Sequence, residues 1–209
     1  MTKPTLSICS SGRRLAVVGA LLVMLGLTGC VPARVPINLD LQYAPPGEDY
    51  AVEPAPRPGR IGIVTVKDDR SNKETIGTTN LPIIGTNIVP WLHDGLGSLA
   101  DYGHEVIDPV LLGGDAFDGV AMDVTLIKLY CSSTPMTMRA SLVCSVRFTV
   151  GGEMLGQRTY RGEYVKEKGF LAGSNYAFSE LTLMMGLNLA MDDLVDKVEQ
   201  DVRGFLEGA

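Results

Sequence analysis

The four cysteines carry the most reactive side chains of this 209-residue chain, and their positions divide them into two groups. Cys9 and Cys30 lie near the N-terminus, whereas Cys131 and Cys144 lie in the second half of the chain. A thiol can act as a nucleophile, a metal ligand or half of a disulfide, and its surroundings decide which. Because the chain has only two histidines, it offers little material for histidine-based catalysis or metal binding.

The residues before Cys30 have the pattern of an export leader. They contain no acidic residue and begin with a basic stretch that includes Lys3, Arg13 and Arg14. Residues 15–27 then form an apolar run that is shorter than the roughly 20 residues of a spanning helix and has the length of a signal-peptide core. A twin-arginine export signal is a weaker alternative, because the residues around the arginine pair fit it poorly.

The apolar run ends in Leu27-Thr28-Gly29-Cys30, which resembles the bacterial lipobox, where a peptidase cuts between Gly29 and Cys30. Small residues at positions 28 and 29 let the extended chain enter a narrow protease cleft. The Cys30 thiol is then the nucleophile that takes an S-diacylglycerol group, and its freed α-amino group can receive an N-acyl chain such as palmitate. Two or more lipid chains give stable membrane anchoring. We therefore predict a signal peptide over residues 1–29, a covalent lipid on Cys30 and no other cofactor; the alternative is an ordinary secretory signal with a chance cysteine.

Residue 31 and the net charge predict where the mature chain lies. Residue 31 is Val and not the Asp that usually retains lipoproteins of diderm bacteria in the inner membrane, which implies an outer-membrane anchor that faces the periplasm. Loss of residues 1–29 removes three of the 18 basic residues and none of the 24 acidic ones, which leaves a net charge of −9. So acidic a body repels anionic lipid heads and nucleic acid. We expect the membrane to be contacted through the lipid alone, with no nucleic-acid partner.

Cys131 and Cys144 would both face an oxidising compartment, where disulfides form. They lie in two segments that look like the strands of a hairpin, residues 121–131 and 140–150. Pairing 131 with 144 gives one face on which seven of eight side chains are apolar or cysteine, as a buried face requires: Thr125, Ile127, Leu129, Cys131, Cys144, Val146, Phe148 and Val150. We therefore predict a Cys131–Cys144 disulfide worth roughly 3 kcal/mol in the chain-entropy model. The alternative is a pair of buried free thiols.

Other candidate chemistry is sparse. A zinc site made from the two cysteines with His93 and His104 lacks the spacing of paired ligands. Asp68-Asp69-Arg70 follows an apolar strand, and two adjacent carboxylates on extended chain point to opposite sides, which suits a general acid/base pair poorly. We interpret these three residues as a turn held by a salt bridge, with a polar contact site for a partner as the alternative. No catalytic residue, no metal site and no enzymatic activity is predicted.

Hydrophobic periodicity predicts an α+β domain with a mixed or antiparallel sheet, a three-strand meander, one short helix and a long C-terminal amphipathic helix packed on the sheet. We divide the chain into the leader, a lipidated N-terminus with an edge strand and a proline-rich tether over residues 30–59, and a periplasmic domain over residues 60–209. The predicted strands are residues 37–43, 60–66, 104–107, 121–131, 140–150 and 154–166, and the predicted helices are residues 87–102 and 179–206.

Several short sequences follow the lipobox in a fixed order: the Asp-x-Arg-type turn after a valine-rich strand, Tyr102-Gly103, Leu129-Tyr130, Tyr160-Arg161-Gly162-Glu163-Tyr164 and Phe170-Leu171-Ala172-Gly173-Ser174-Asn175. Their order before a long terminal helix resembles the YajG-like family of bacterial lipoproteins. The resemblance implies an outer-membrane lipoprotein of unassigned biochemical role, and it supplies no catalytic residue. The Cys131 and Cys144 pair and the loop over residues 71–86 depart from what we expect of the family.

Two hypotheses for the function follow from these observations. The first is a non-catalytic lipoprotein that binds another envelope protein as an accessory factor. The second is a periplasmic module that binds a small or lipid-like ligand in a pocket between sheet and helix. An apolar cavity beside Leu183 and Met184 would favour the second hypothesis, and a packed interior would favour the first.

Overall fold

A computed structural model describes residues 35–45, 52–107, 117–134, 137–167 and 179–208. The predicted leader, with Gly29 and the lipidation site Cys30, lies outside these ranges, as does the segment from Phe170 to Asn175. The described residues from Pro36 onward belong to one compact unit. No helix within the described ranges has the length and apolar character that crossing a membrane requires.

The described chain forms eight strands and two α-helices. The first helix, α1 (Ile88–Gly97), is extended by a short 3-10 helix (Ser98–Tyr102), and the C-terminal helix is α2 (Glu180–Gly208). The strands are β1 (Ile37–Asp40), β2 (Arg60–Asp68), β3 (Gly77–Thr78), β4 (Pro82–Thr86), β5 (Glu105–Ile107), β6 (Val120–Ser133), β7 (Thr137–Val150) and β8 (Glu153–Glu167).

All eight strands belong to one mixed sheet that is built around β6. Along one edge β6 pairs with β7, which pairs with β8, and this gives an antiparallel three-strand meander. Along the other edge of β6 two strands pair with it: β2 runs parallel to its first half, and β3 runs parallel to its end. Beyond β2 lies β5, and beyond β3 lie β4 and β1, with β1 at the sheet's edge. The predicted α+β class, the meander and the edge strand are confirmed.

The two helices cover one face of this sheet, because alternate strand residues and a stripe on α2 are apolar. The predicted apolar stripe of α2 is buried from Leu183 to Val202. In the meander, Met122, Leu142 and Phe148 are completely buried on the same face. Burial of this many large apolar side chains is the main source of stability for such a domain.

Strands β3 and β4 lie in residues 71–86, which the sequence alone presented as a polar loop. The backbone N–H of Ile76 donates to the carbonyl of Ile83 at 2.8 Å, and the N–H of Cys131 donates to the carbonyl of Ile76 at 2.7 Å. Gly77 has a φ of +154°, and a Cβ at this position would stand only 1.6 Å from the carbonyl oxygen of Cys131. Glycine therefore permits the close approach of β3 to β6.

The predicted register of the β6–β7 hairpin is wrong. Leu126, and not Cys131, pairs with Cys144, while Cys131 pairs with Ala140. The register shifts between Leu126 and Lys128, where Ile127 is the extra residue of a β-bulge. The strands also continue to a tight connection, in which the N–H of Thr134 donates to the carbonyl of Thr137 at 2.8 Å. The position of this connection moves the partner of Cys131 by four residues, and the bulge adds one more for the residues before Ile127. A strictly alternating pattern indicates neither.

The predicted Cys131–Cys144 disulfide is wrong for the same reason. Since Cys131 pairs with Ala140, Cys144 lies four residues further along β7, which is about 13 Å at the usual rise of a strand. A disulfide requires the two Cα atoms to be within roughly 7 Å. Both thiols are free and buried, and burial raises the pKa of each to about 12. The alternative of two buried free thiols is therefore correct.

Candidate partner-binding groove

Asp68 and Arg70 form the turn that ends β2. The Nε atom of Arg70 donates to Oδ1 of Asp68 at 2.8 Å, and Nη2 donates to Oδ2 at 2.8 Å, which makes a bidentate pair. The backbone N–H of Arg70 also donates to Oδ1 of Asp68 at 3.2 Å. Hydrogen bonds from Arg70 hold the pKa of the Asp68 carboxyl below its usual value, although burial opposes them. The interpretation as a salt-bridged turn is confirmed.

Arg70 itself is buried, with only 4% of its side chain exposed. Its Nη1 atom has no hydrogen-bond partner among the described residues. An unpaired buried guanidinium nitrogen is energetically unfavourable and attracts an acceptor. Asp69 is exposed, so the three residues predicted as one contact surface divide between interior and solvent.

A groove of about 660 Å³ begins at this turn and follows the face of the sheet opposite the two helices. One wall comes from the loop after Arg70, where Oδ1 of Asn72 accepts the backbone N–H groups of Glu74 and Thr75 at 3.0 and 3.2 Å. The floor comes from β6 and β7. The bulge at Ile127 leaves that side chain 44% exposed, and Tyr130, which also lines the groove, is 42% exposed.

The charged side chains that line the groove are all basic. They are Arg70, Lys128 and Arg161, and no acidic side chain from the described ranges lines it. Arg161 is paired with Glu163 at 2.5 Å at the surface. Arg70 and Arg161 each have a carboxylate partner, whereas Lys128 has no ion-pair partner among the described residues, so the positive charge of the groove centres on Lys128. The chemistry of the groove suits an acidic ligand that also carries apolar groups.

The other sequence candidates do not meet in this groove. Nδ1 of His93 lies 3.8 Å from Oδ1 of Asp94, on the exposed side of α1. His104 is buried: its Nδ1 accepts the backbone N–H of Gly59 at 3.1 Å, and its Nε2 lies 3.6 Å from Oε1 of Glu199. Among the described residues, no three His, Cys, Asp or Glu side chains are grouped as ligands of a metal ion.

The interface between α2 and the sheet is packed where a ligand pocket was considered. Leu183 is completely buried, and Met184 is a half-buried neighbour of the apolar core. A Cβ on Gly186 would lie 2.0 Å from Cε of Met138, so helix and strand are already in close contact there. The 660 Å³ groove is lined by neither Leu183 nor Met184. Packing at this point favours the first of the two functional hypotheses.

Three polar residues of α2 are buried, although the amphipathic pattern of the sequence indicates no role for them. Asn188, Asp192 and Glu199 are each no more than 6% exposed. They contact side chains from the first half of the chain, namely Trp91, Tyr43 and His104 respectively. Their helical spacing continues the edge of the apolar stripe, which is the only signal that could have identified them.

No protein-family model matches this sequence, and no curated protein matches it either. Similar solved structures include bacterial lipoproteins. Lipoprotein GNA1162 from Neisseria meningitidis is 11% identical over 73% of this chain and 100% of that chain, with a TM-score of 0.35. A minor lipoprotein from Acinetobacter baumannii is 11% identical over 68% of this chain and 92% of that chain, with a TM-score of 0.38.

A further similar structure is protein XCC0632 from Xanthomonas campestris. It is 8% identical over 83% of this chain and 98% of that chain, with a TM-score of 0.45. All three TM-scores are below 0.5, so we take no function from these likenesses.

Proposed function

We propose that this chain is a lipid-anchored outer-membrane lipoprotein of the YajG-like kind, whose non-catalytic periplasmic domain binds another envelope protein. The observation that carries the anchor is Leu27-Thr28-Gly29-Cys30 at the end of an apolar run of signal-peptide length. Val31 supports sorting to the outer membrane. The negative net charge of the mature chain would repel anionic lipid headgroups, which supports a domain that is tethered by its lipid and does not lie on the membrane surface.

The groove between the Asp68–Arg70 turn and β6 supports the choice of partner. Its basic lining favours a partner segment with carboxylates, because complementary charges steer association and fix orientation. The exposed side chains of Ile127 and Tyr130 offer apolar contact beside those charges. Tyrosine and arginine side chains both line the groove, and these residue types are enriched among those that dominate binding energy in protein interfaces.

A second candidate function is binding of a small anionic molecule in the same groove. A volume of about 660 Å³ is within the range of small-molecule sites. Such a ligand would bind in this groove and not between the sheet and α2, because the interior beside Leu183 is packed.

The anchor is tested by labelling growing cells with radioactive palmitate. Wild-type protein should incorporate the label, and Cys30→Ala should abolish it because no thiol remains to be acylated. Cys9→Ala is the matched control, since Cys9 is removed with the leader and its loss should leave labelling unchanged. Continued labelling of Cys30→Ala would contradict the proposed anchor.

The groove is tested with a photo-crosslinking amino acid placed at Tyr130 in intact cells, and at the exposed Leu155 of β8 as control. We expect one reproducible protein adduct from position 130 and none from position 155. Lys128→Glu should suppress the adduct, whereas Lys166→Glu makes the same charge change outside the groove and should not. The absence of an adduct, or an adduct yield that Lys128→Glu leaves unchanged, would contradict partner binding in the groove. Suppression of the adduct by an added small anion would favour the second candidate function.

A further inference from the structure

A second, separate pocket of about 270 Å³ lies where the segment after β1, the 3-10 helix and α2 meet. Among the described residues, its charged lining consists of three carboxylates, Asp101 from the 3-10 helix and Asp192 and Asp196 from α2. Tyr43 and Tyr102 add phenol groups. No Lys, Arg or His from the described ranges lines this pocket.

Asp192 is the unusual member of this group, because only 6% of it is exposed. The phenol of Tyr43 donates to its Oδ1 at 2.7 Å. Its Oδ2 atom is buried and has no hydrogen-bond partner among the described residues. A buried carboxylate oxygen without a donor is strongly unfavourable, because burial removes its hydrogen bonds to water and no protein donor replaces them. A ligand that donates a hydrogen bond and carries positive charge would satisfy it.

The surroundings of Asp192 act together on its ionisation. Burial raises the pKa of Asp192 to about 6, the hydrogen bond from Tyr43 lowers it, and the charges of Asp196 and Asp101 raise it further. At neutral pH the pocket therefore holds a carboxylate that is ionised in spite of unfavourable neighbours. Tyr102 donates to Oδ1 of Asp196, so both helix carboxylates are oriented by phenols.

We propose that this pocket binds a primary ammonium group carried on an aliphatic chain. An ammonium group offers three donors and a positive charge to Asp192 and its neighbours. The volume equals about nine water molecules, which exceeds the needs of a single ion. Val52 and Val195 line the same pocket and provide apolar contact for methylene groups. This pocket shares no described lining residue with the groove beside Arg70.

The test is calorimetric titration of the full-length protein in detergent with 1,4-diaminobutane. We expect saturable binding, and no binding of 1,4-butanediol, which has a similar chain without charge. Asp192→Asn, which keeps the shape, should weaken binding about tenfold, because a charge-assisted contact is lost. Asp101→Asn removes an exposed carboxylate at the rim and should weaken binding about threefold. Asp94→Asn removes an equal charge outside the pocket and should have no effect.

Binding should also weaken as pH falls from 7.5 to 5, because Asp192 becomes protonated near pH 6. The groups that face it are Asp101, Asp196, Tyr43 and Tyr102. Burial raises the pKa of Tyr43 above its usual value, so its phenol does not titrate in this range. The Asp192→Asn variant should retain a smaller pH dependence.

Several results would overturn the ammonium site. The first is the absence of saturable binding of 1,4-diaminobutane. The second is a folded Asp192→Asn variant that binds it as tightly as wild type does. The third is 1,4-butanediol that binds as tightly as the diamine. Binding of Ca²⁺ that depends on Asp192 and displaces the diamine would show a metal site and would equally refute the ammonium assignment. Thermal unfolding of each variant verifies that it is folded, and Asp101→Asn gives an independent test if Asp192→Asn does not fold.

Discussion

The indole Nε1 of Trp91 donates a hydrogen bond to Oδ1 of Asn188 at 2.8 Å, with both side chains buried. Asn188 donates in turn from Nδ2 to the backbone carbonyl of Gln42 at 3.3 Å. One amide therefore joins α1, α2 and the segment after β1. A fully satisfied buried polar contact of this kind fixes the relative position of the elements that it joins.

Replacing Asn188 tests this junction. Asn188→Ala should lower the free energy of unfolding by about 2 kcal/mol, because it leaves the Trp91 N–H buried without an acceptor. Urea unfolding followed by fluorescence measures the change, since Trp91 is the chain's single tryptophan. Asn80→Ala, at an exposed loop position, should shift stability by no more than about 0.5 kcal/mol. Equal effects of the two variants would contradict the role of Asn188.

Two glycines of α1 provide a matched pair. A Cβ on Gly95 would lie 2.5 Å from Cγ of Met191, whereas nothing lies within 4 Å of a Cβ on Gly97. Gly95→Ala should therefore destabilise the protein by about 1 to 3 kcal/mol through overpacking against α2. Gly97→Ala should stabilise it by up to about 1 kcal/mol, because alanine favours the helix. Thermal unfolding measures both effects. A shift of the unfolding temperature in the same direction for both variants would be inconsistent with this packing.

Asp192 should make stability depend on pH in an unusual direction. Its pKa is raised in the folded state from the ordinary value of 3.8 to about 6, so the folded state binds its proton more tightly than the unfolded state does. Its contribution to stability is complete below about pH 4 and is lost as pH rises through about 6.

The comparison of wild type with Asp192→Asn isolates this contribution from those of other groups. Across pH 4 to 6 the wild type should lose stability relative to Asp192→Asn, and at pH 7.5 the variant should be more stable by about 1 to 2 kcal/mol. Urea unfolding at each pH provides the measurement, with Asp94→Asn as the control. A wild type that gains stability relative to the variant over this range would refute the assignment.

Cys131 and Cys144 should behave as inert thiols. Burial raises the pKa of both to about 12, so the reactive thiolate is scarce at neutral pH. Native mature protein should resist alkylation, and urea-unfolded protein should gain two alkyl groups whether or not a reductant is present. Mass spectrometry counts the groups. A requirement for reductant would show that the two cysteines form a disulfide after all.

Much of the fold follows from periodicity alone. The helix predicted over residues 87–102 is α1 with its 3-10 extension, and the apolar stripe after Leu183 defines α2 almost to its ends. These elements are predictable because a local pattern determines which face is buried.

What could not be predicted depends on contacts between distant residues. The connection between Thr134 and Thr137 sets the hairpin register, and the bulge at Ile127 shifts it by one position and exposes part of the groove floor; neither has a local signature. Asp192 and Glu199 look like solvent-facing helix residues until Tyr43 and His104 are placed against them. Within the candidate groove, the turn at Asp68 could be predicted, whereas the burial of Arg70 could not.

The mass of the mature protein tests the central claim most directly. Protein extracted from outer-membrane fractions should lack residues 1–29 and should carry a diacylglycerol and a further acyl chain on Cys30. A protein that is found in the cytosol with its leader uncut and no added acyl mass would contradict the account.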